Sequence, residues 1–204
     1  MADGIRALAL VILFTLCVLP VGMVPLAAQE RPVSIETANG SADELAMAAT
    51  VRRLIDEYGL HDWMFTDRML VDQDTRIPHS HPVLTLTTRY LGDDTEILTN
   101  IVHEQLHWLV LEDQGALRAA LDEIRAMYPD APDGPRAGAR DLRSTYLHLV
   151  VCSLEYQALE EKIGREAAEA ALRSKPYYTW VFATVVDDRE KLRPVLAKHG
   201  IVLP

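Results

Sequence analysis

The sequence predicts a mostly helical α+β domain with a small antiparallel sheet beside a central helix. Apolar residues recur at helical spacing through most of residues 41–198, which favours helices. Residues 63–71 and 82–90 resemble strands, and the second is rich in β-branched side chains. A composition of 49% hydrophobic and 25% charged residues is that of a globular domain with a core, so the chain is expected to fold rather than stay disordered.

The first thirty residues differ in composition from the rest of the chain. Residues 7–19 are apolar except for Thr15, and Ala27 and Ala28 stand before a polar Gln-Glu pair. Thirteen helical residues are too short for a bilayer core of about 30 Å, and small residues before a polar pair are typical of a cleavage site. We therefore expect a signal peptide at residues 1–28 and a secreted or periplasmic protein. The alternative is a membrane anchor formed by residues 7–28.

Residues 29–40 are polar and contain Pro and Gly, which predicts a linker before a folded domain at residues 41–204. If residues 1–28 are removed, Cys152 is the only cysteine left, so a hydrophobic core must supply the stability. The net charge of −10 argues against nucleic acid as a partner, because that partner requires a basic surface.

The remaining elements follow from local signals along the chain. Ser41 and Glu44 match a capping box, which predicts a helix from there to about Gly59. After the two strands and the central helix, further helices are predicted at residues 116–127, 139–163, 166–173 and 189–198. The Pro/Gly-rich residues 129–138 predict a loop, and the apolar residues 177–186 fit either a strand or a buried helix.

The central helix carries the pattern His103-Glu104-Gln105-Leu106-His107. Asp93 or Asp94 can provide its N-cap, and no Gly or Pro interrupts it before Asp113. Two histidines four residues apart project from one helix face, so both can bind a single metal ion. A glutamate directly after the first histidine can take a proton from water on that ion. The pattern predicts a zinc site with His103 and His107 as ligands and Glu104 as general base.

A catalytic zinc needs three protein ligands and one open position. Asp113 follows the motif closely, but Val110 does not break the helix, so we expect Asp113 to lie away from the ion. Glu155 is the preferred third ligand, because it closes an apolar helical stretch in which a lone carboxylate is costly. His148 and Cys152 share its helix face and are the alternatives.

The motif and a later glutamate-bearing helix together resemble the gluzincin group of zinc metallopeptidases, especially its small single-domain members. The resemblance covers about residues 83–159. It implies a zincin-like catalytic domain, Zn²⁺ held by His103, His107 and Glu155, and a peptide or protein substrate. Members of this group often have an aspartate four residues after the glutamate to support a zinc-bound histidine, and here that position is Leu159. Three other residues are candidates for that support: Asn100, Glu160 and Glu161.

Several other side chains have chemistry that suits such a site. His148 is a candidate catalytic residue, as a hydrogen-bond donor to the oxyanion of the substrate. Four tyrosines could donate in the same way, although packing in the core is the simpler interpretation for each: Tyr146, Tyr156, Tyr177 and Tyr178. His79 and His81 lie in a polar, Pro-flanked segment and are expected to be exposed.

These features predict a zinc metallopeptidase in which metal-activated water attacks a peptide bond. Two other functions fit the same residues. One is a non-catalytic binding or structural protein in which four ligands close a fold-stabilising metal site. The other is a zinc amidase acting on cell-wall fragments, since the same activation of water serves any amide.

Overall fold

A computed structural model describes residues 33–204 of the chain. The predicted signal peptide at residues 1–28, and its alternative as an anchor at residues 7–28, lie outside the described residues. Within residues 33–204, no helix has both the length and the apolar character needed to cross a bilayer.

The sheet has three short strands in the order β1 (Ser34–Thr37), β2 (Arg68–Val71) and β3 (Leu84–Leu86), and both pairings are parallel. The prediction of an antiparallel sheet is therefore wrong. Alternation of apolar residues indicates a strand but carries no information about its direction, which depends on the connection. Residues 72–83 form a connection of about a dozen residues, which is long enough to return the chain for a parallel pairing.

The strands also differ from the predicted segments in length and number. β1 lies within residues 29–40, which the sequence assigned to a linker. Two one-turn 3₁₀ helices, His61–Trp63 and Thr88–Tyr90, overlap the first residue of one predicted strand and the last three residues of the other. β1 pairs along its whole length with β2, so its backbone hydrogen bonds depend on a partner more than thirty residues away rather than on local sequence.

Seven α-helices account for most of the described residues. They are α1 (Ala42–Glu57), α2 (Asp94–Glu112), α3 (Gln114–Met127), α4 (Leu142–Ile163), α5 (Arg165–Arg173), α6 (Thr179–Asp187) and α7 (Arg189–Lys198). The mostly helical α+β prediction is confirmed by these elements and the small sheet. Residues 177–186, which fitted a strand or a helix, belong mainly to α6.

The start of α1 is joined to the ends of two strands through the buried side chain of Glu44. The predicted capping box is present, with Ser41 and Glu44 accepting hydrogen bonds from each other's backbone N–H at 3.3 Å. The Glu44 carboxylate also accepts from the backbone N–H of Asn39 at 2.8 Å and of Gln73 at 3.1 Å. These donors follow β1 and β2, so one carboxylate connects the helix to both strands.

Helix α4 is the centre of the core. It packs against α2, α3, α5, α6 and α7, and most of its residues between Thr145 and Leu159 are buried. α2 lies between α4 and the sheet, because it contacts β3 and α1 as well as α4. The polar side chains of α4 therefore meet the motif-bearing helix inside the protein rather than at its surface.

Candidate metal centre

The two motif histidines project from one continuous helix, as predicted. Asp93 caps α2 by accepting a hydrogen bond from the backbone N–H of Glu96 at 3.0 Å. The Nε2 atoms of His103 and His107 lie 3.2 Å apart. Two nitrogens bound to one tetrahedral zinc at its usual bond length are about 3.3 Å apart. The spacing of these two atoms therefore suits a shared ion.

His148 from α4 brings a third imidazole to this pair. Its ring centroid lies 5.6 Å from that of His103 and 5.3 Å from that of His107. The three side chains offer ligand atoms that all lie within 4.8 Å of one another. Nδ1 of His148 is 2.7 Å from the backbone oxygen of Ser144. Because Nδ1 donates to that carbonyl, Nε2 is left with a lone pair for a metal ion.

Glu155 reaches the same cluster at a different atom. Its Oε2 lies 2.8 Å from Nδ1 of His103, and the carboxylate is almost completely buried. Nδ1 and Nε2 lie on different edges of the ring, so Glu155 meets His103 away from the Nε2 pair. The side chains of His103, His107 and Glu155 do not form a group within 4.8 Å of one another among the described residues. The structure thus brings His148, the alternative ligand, to the histidine pair.

The hydrogen bond from His103 to Glu155 sets the protonation of the imidazole. Donation from Nδ1 to a carboxylate leaves Nε2 as the nitrogen that can bind a metal. Glu155 is therefore the residue that hydrogen-bonds to and orients a motif histidine, a role for which the sequence offered Asn100, Glu160 and Glu161 as candidates. Those residues are placed otherwise: Glu160 pairs with Arg165 at 2.7 Å, Glu161 pairs with its neighbour Lys162 at 3.1 Å, and the amide nitrogen of Asn100 has no described partner.

Burial and mutual repulsion keep two of the histidines neutral. Burial lowers the pKa of His107 to about 2, and the charge on His103 adds to the effect. Burial and the same neighbour lower the pKa of His148 to about 4. Burial acts on His103 in the same direction, but the charge and hydrogen bond of Glu155 outweigh it and raise the pKa. At neutral pH, His107 and His148 are therefore in the form that binds metal.

No family model, no curated protein and no solved structure matches this chain.

Glu104 lies beside the histidine cluster and is largely buried, at 7% exposed. Burial raises the pKa of Glu104, and the nearby positive charge of His103 opposes that rise in part. A carboxylate whose pKa moves toward neutrality is better suited to accept and return a proton near pH 7.

Cys152 belongs to a second grouping on α4. Its Sγ, a ring nitrogen of His103 and a carboxylate oxygen of Glu155 lie within 4.8 Å of one another. The thiol is completely buried, and burial together with the charge of Glu155 raises its pKa well above the usual value. A protonated thiol is a poor metal ligand, so this grouping is less suited to an ion than the three histidines.

Asp113, His79 and His81 were not favoured as metal ligands from the sequence, and the structure shows what they contact instead. Asp113 is the N-cap of α3, with Oδ1 accepting from the backbone N–H groups of Gly115 and Ala116 at 2.8 and 2.9 Å, which agrees with its exclusion as a ligand. His79 and His81 are exposed, as expected. The His81 ring stacks on Trp108 with centroids 4.2 Å apart.

Tyr178 is the tyrosine that the structure places next to the cluster. Its ring centroid lies 4.4 Å from that of His148, and its hydroxyl hydrogen-bonds to no described residue. Burial, followed by the proximity of Cys152 and Glu104, raises its pKa to about 12. Among residues 33–204 it is the one non-glycine residue with a positive φ, 51°. Such strain at a non-glycine residue often marks a functional site.

The other tyrosine candidates have different surroundings. The Tyr146 hydroxyl donates to the backbone oxygen of Tyr128 at 2.8 Å, and the Tyr156 hydroxyl donates to Glu169 at 3.2 Å. Both are buried core residues, as the simpler interpretation held. Tyr177 packs edge-on to Tyr178 with centroids 5.2 Å apart, so it supports that ring. The positive φ of Tyr178 could not be predicted from the sequence, because no neighbouring residue requires that backbone conformation.

Proposed function

We propose that this protein is a zinc-dependent hydrolase of peptide bonds whose ion is bound by His103, His107 and His148. The observation that carries the proposal is the convergence of three imidazoles from α2 and α4, two of them with Nε2 atoms 3.2 Å apart. Three protein ligands with a remaining open position are typical of catalytic zinc. The proposal includes a zincin-like fold, and its third ligand differs from the glutamate of the gluzincins.

The proposed reaction uses the side chains around the cluster in distinct roles. A bound zinc ion would supply Lewis acidity, polarising the scissile carbonyl and lowering the pKa of water. Glu104 accepts a proton from the attacking water and donates it to the leaving amine. Glu155 holds His103 in the tautomer that presents Nε2. Because its ring lies on His148 and its hydroxyl has no described partner, we assign Tyr178 as the donor to the oxyanion.

The substrate and location follow from the same proposal. A peptide or protein is the expected substrate, and export directed by residues 1–28 is the expected route to it. A cell-wall amide remains the other hydrolytic candidate, because water activation does not distinguish one amide from another. Parallel assays of a peptide library and of cell-wall amides separate the two, and cleavage confined to the cell-wall amides would replace the peptidase assignment.

The central experiment is metal analysis of the purified protein together with Glu104→Gln. We expect one zinc per chain in both proteins, and a loss of hydrolysis of at least roughly 10²-fold in the variant. Glu161→Gln, on an exposed part of α4, is the matched control and should behave like wild type. A Glu104→Gln protein with the wild-type rate would remove the proposed mechanism.

The grouping of His103, Cys152 and Glu155 favours a second candidate, a metal site that stabilises the fold without catalysis. The two candidates use different side chains, so ligand variants separate them. Under the hydrolase proposal, Cys152→Ala retains zinc and His148→Ala loses it. Loss of zinc from Cys152→Ala, with retention in His148→Ala, would establish the structural site instead.

A further inference from the structure

A small cavity lies between α4, α5 and α7, away from the metal centre. The α4 residues that line it lie between Ser153 and Glu160. Ser153 is five residues after His148, a spacing that turns its side chain about 140° away from His148 around the helix axis. The cavity is therefore a separate site, and what it binds does not depend on the hydrolase proposal.

The cavity has an excess of positive charge. Three arginines line it against two glutamates: Arg165, Arg189, Arg193, Glu160 and Glu190. Arginine is always protonated in proteins, so these side chains together carry one positive charge more than negative. The whole chain has a net charge of −10, so a positively charged cavity stands out against the rest of the protein. Its charge favours an anion as ligand.

The two glutamates leave Arg189 as the side chain that carries this excess charge. Glu160 accepts a hydrogen bond from Nε of Arg165 at 2.7 Å, and its other oxygen lies 3.8 Å from Nη2 of Arg193. Oε1 of Glu190 lies 3.6 Å from Nε of Arg189, which is too long for a hydrogen bond, and the Glu190 side chain is 84% exposed. Arg189 is therefore only weakly neutralised.

Arg189 also has a buried donor without a partner. Its Nη1 donates to the backbone oxygen of Val186 at 2.9 Å, whereas Nε is shielded from solvent and has no acceptor within residues 33–204. Neighbouring polar side chains of the cavity are paired, since Ser153 donates to a backbone oxygen of its own helix and Gln157 accepts from Arg193 at 3.1 Å. Buried donors are nearly always paired, and charged ones are the most costly to leave alone. A bound anion would supply an acceptor.

The starts of α5 and α7 add to the positive potential of the cavity. Arg165 is the first residue of α5 and Arg189 is the first residue of α7, and no side chain caps either start. The free backbone N–H groups at the start of a helix carry partial positive charge and favour anions. The two helix starts thus act in the same direction as the three guanidinium groups.

We infer that this cavity binds a small monovalent anion, with Arg189 as its main ligand and Arg165 and Arg193 beside it. An excess of one positive charge matches a monovalent ion. The cavity volume of about 20 Å³ is room for little more than one water-sized particle, which favours an ion as small as chloride. The bound anion would join α5 and α7 to α4 and so stabilise the folded protein.

Thermal unfolding of the full-length protein, in chloride and in gluconate at equal ionic strength, tests the inference. We expect Tm to rise saturably by about 2–4 °C as chloride replaces gluconate up to about 0.2 M, because a ligand that binds the folded state stabilises it. Arg189→Met should abolish the rise, and Arg189→Lys should reduce it, since lysine keeps the charge but has no Nε. Arg118→Met, at an exposed position of α3, removes the same charge outside the cavity and should retain the rise.

Bromide in place of chloride locates the ion. Crystals of the wild-type protein grown in bromide should give an anomalous peak in the cavity, in contact with Arg189. If Arg189→Met does not fold, Arg193→Met replaces it and should reduce the chloride response.

Three results would overturn the inference: equal Tm in chloride and gluconate, an equal chloride response in Arg189→Met and Arg118→Met, or no bromide in the cavity. A larger response to phosphate than to chloride would overturn the assignment of a monovalent ion. None of these results bears on zinc binding or hydrolysis, so failure here is distinguishable from failure of the proposed function.

Discussion

Glu155 on α4 is hydrogen-bonded to Nδ1 of His103 on α2, at 2.8 Å and across 52 residues of sequence. The bond leaves Nε2 of His103 directed at His107 and connects the two helices that form the site. It also accounts for a carboxylate inside an apolar helix, because a buried charge is tolerated when it is paired with a hydrogen-bond donor. The histidine cluster is therefore ordered by the hydrogen bond from His103 to Glu155, a residue that is not one of the proposed ligands.

Replacing Glu155 should weaken zinc binding without abolishing it. Glutamine can still accept the Nδ1–H but carries no charge, so Glu155→Gln is expected to lower zinc affinity about 10–100-fold while keeping one ion per chain. His148→Ala should lose more affinity, because it removes a proposed ligand. Competition with a chromophoric chelator measures both. A greater loss in Glu155→Gln than in His148→Ala would restore Glu155 as the third ligand.

Glu44 should make stability depend on pH in the acid range. Burial would raise its pKa, but hydrogen bonds from Gln73, Asn39 and Ser41 prevail and lower it from 4.5 to about 2. Since the folded-state pKa is below the unfolded one, this stabilisation is complete above about pH 4.5 and is lost as the pH falls toward 2. Glu44→Gln should therefore lower the free energy of unfolding at pH 7 and flatten its fall over that range.

Urea unfolding measured from pH 2 to 7 tests this expectation. Asp43→Asn, at the exposed neighbouring position, is the control and should retain the wild-type pH dependence. An unchanged slope in Glu44→Gln would show that other groups cause the acid sensitivity.

Gly138 is required for close packing at the start of α4. A Cβ at this position would contact the backbone oxygen of Pro132 and lie 2.5 Å from Oγ1 of Thr145. That hydroxyl already donates to Pro132 and accepts from Ala139. Gly138→Ala should thus destabilise the protein by about 1–3 kcal/mol, as overpacking does elsewhere. Chemical denaturation measures the change.

The same loop holds the start of α6, so Gly138→Ala should also disturb Tyr178. The backbone N–H of Thr179 donates to the oxygen of Arg136 at 3.0 Å, and that of Trp180 donates to Ala137 at 3.0 Å. Gly115→Ala in α3 is the control, because its nearest neighbour is a side-chain atom of Asp113 at 3.2 Å. Equal stability of the two variants would contradict the packing explanation.

Lys175 joins the turn before α6 to the first half of α2. Its buried Nζ lies 2.5 Å from the carboxylate of Glu96 and 2.8 Å from Oγ1 of Thr99. Lys175→Met should reduce the free energy of unfolding by about 3 kcal/mol, because Glu96 is left partly buried without its partner. Adding Glu96→Met should recover part of the loss. A double-mutant cycle measures the coupling, and strictly additive effects would show that the pair contributes nothing.

The helices were the most predictable part of the fold because their signals are local. The capping box at Ser41 and the cap at Asp93 both occur where the sequence predicts them. α6 was ambiguous, since a short apolar segment has the same composition in a buried helix and in a buried strand. The direction of the strands was mispredicted, because pairing between β1, β2 and β3 joins residues that are distant in sequence and lack a tight turn.

By itself, the sequence determined that His103 and His107 share one helix face and that His148 and Glu155 share another. Both results follow from the 3.6-residue period of the α-helix. Only the tertiary structure decided which α4 residue meets which edge of the His103 ring. Side chains seven residues apart are separated by about 10 Å along a helix, so the level at which α4 passes α2 brings His148 to the histidine pair and Glu155 to Nδ1.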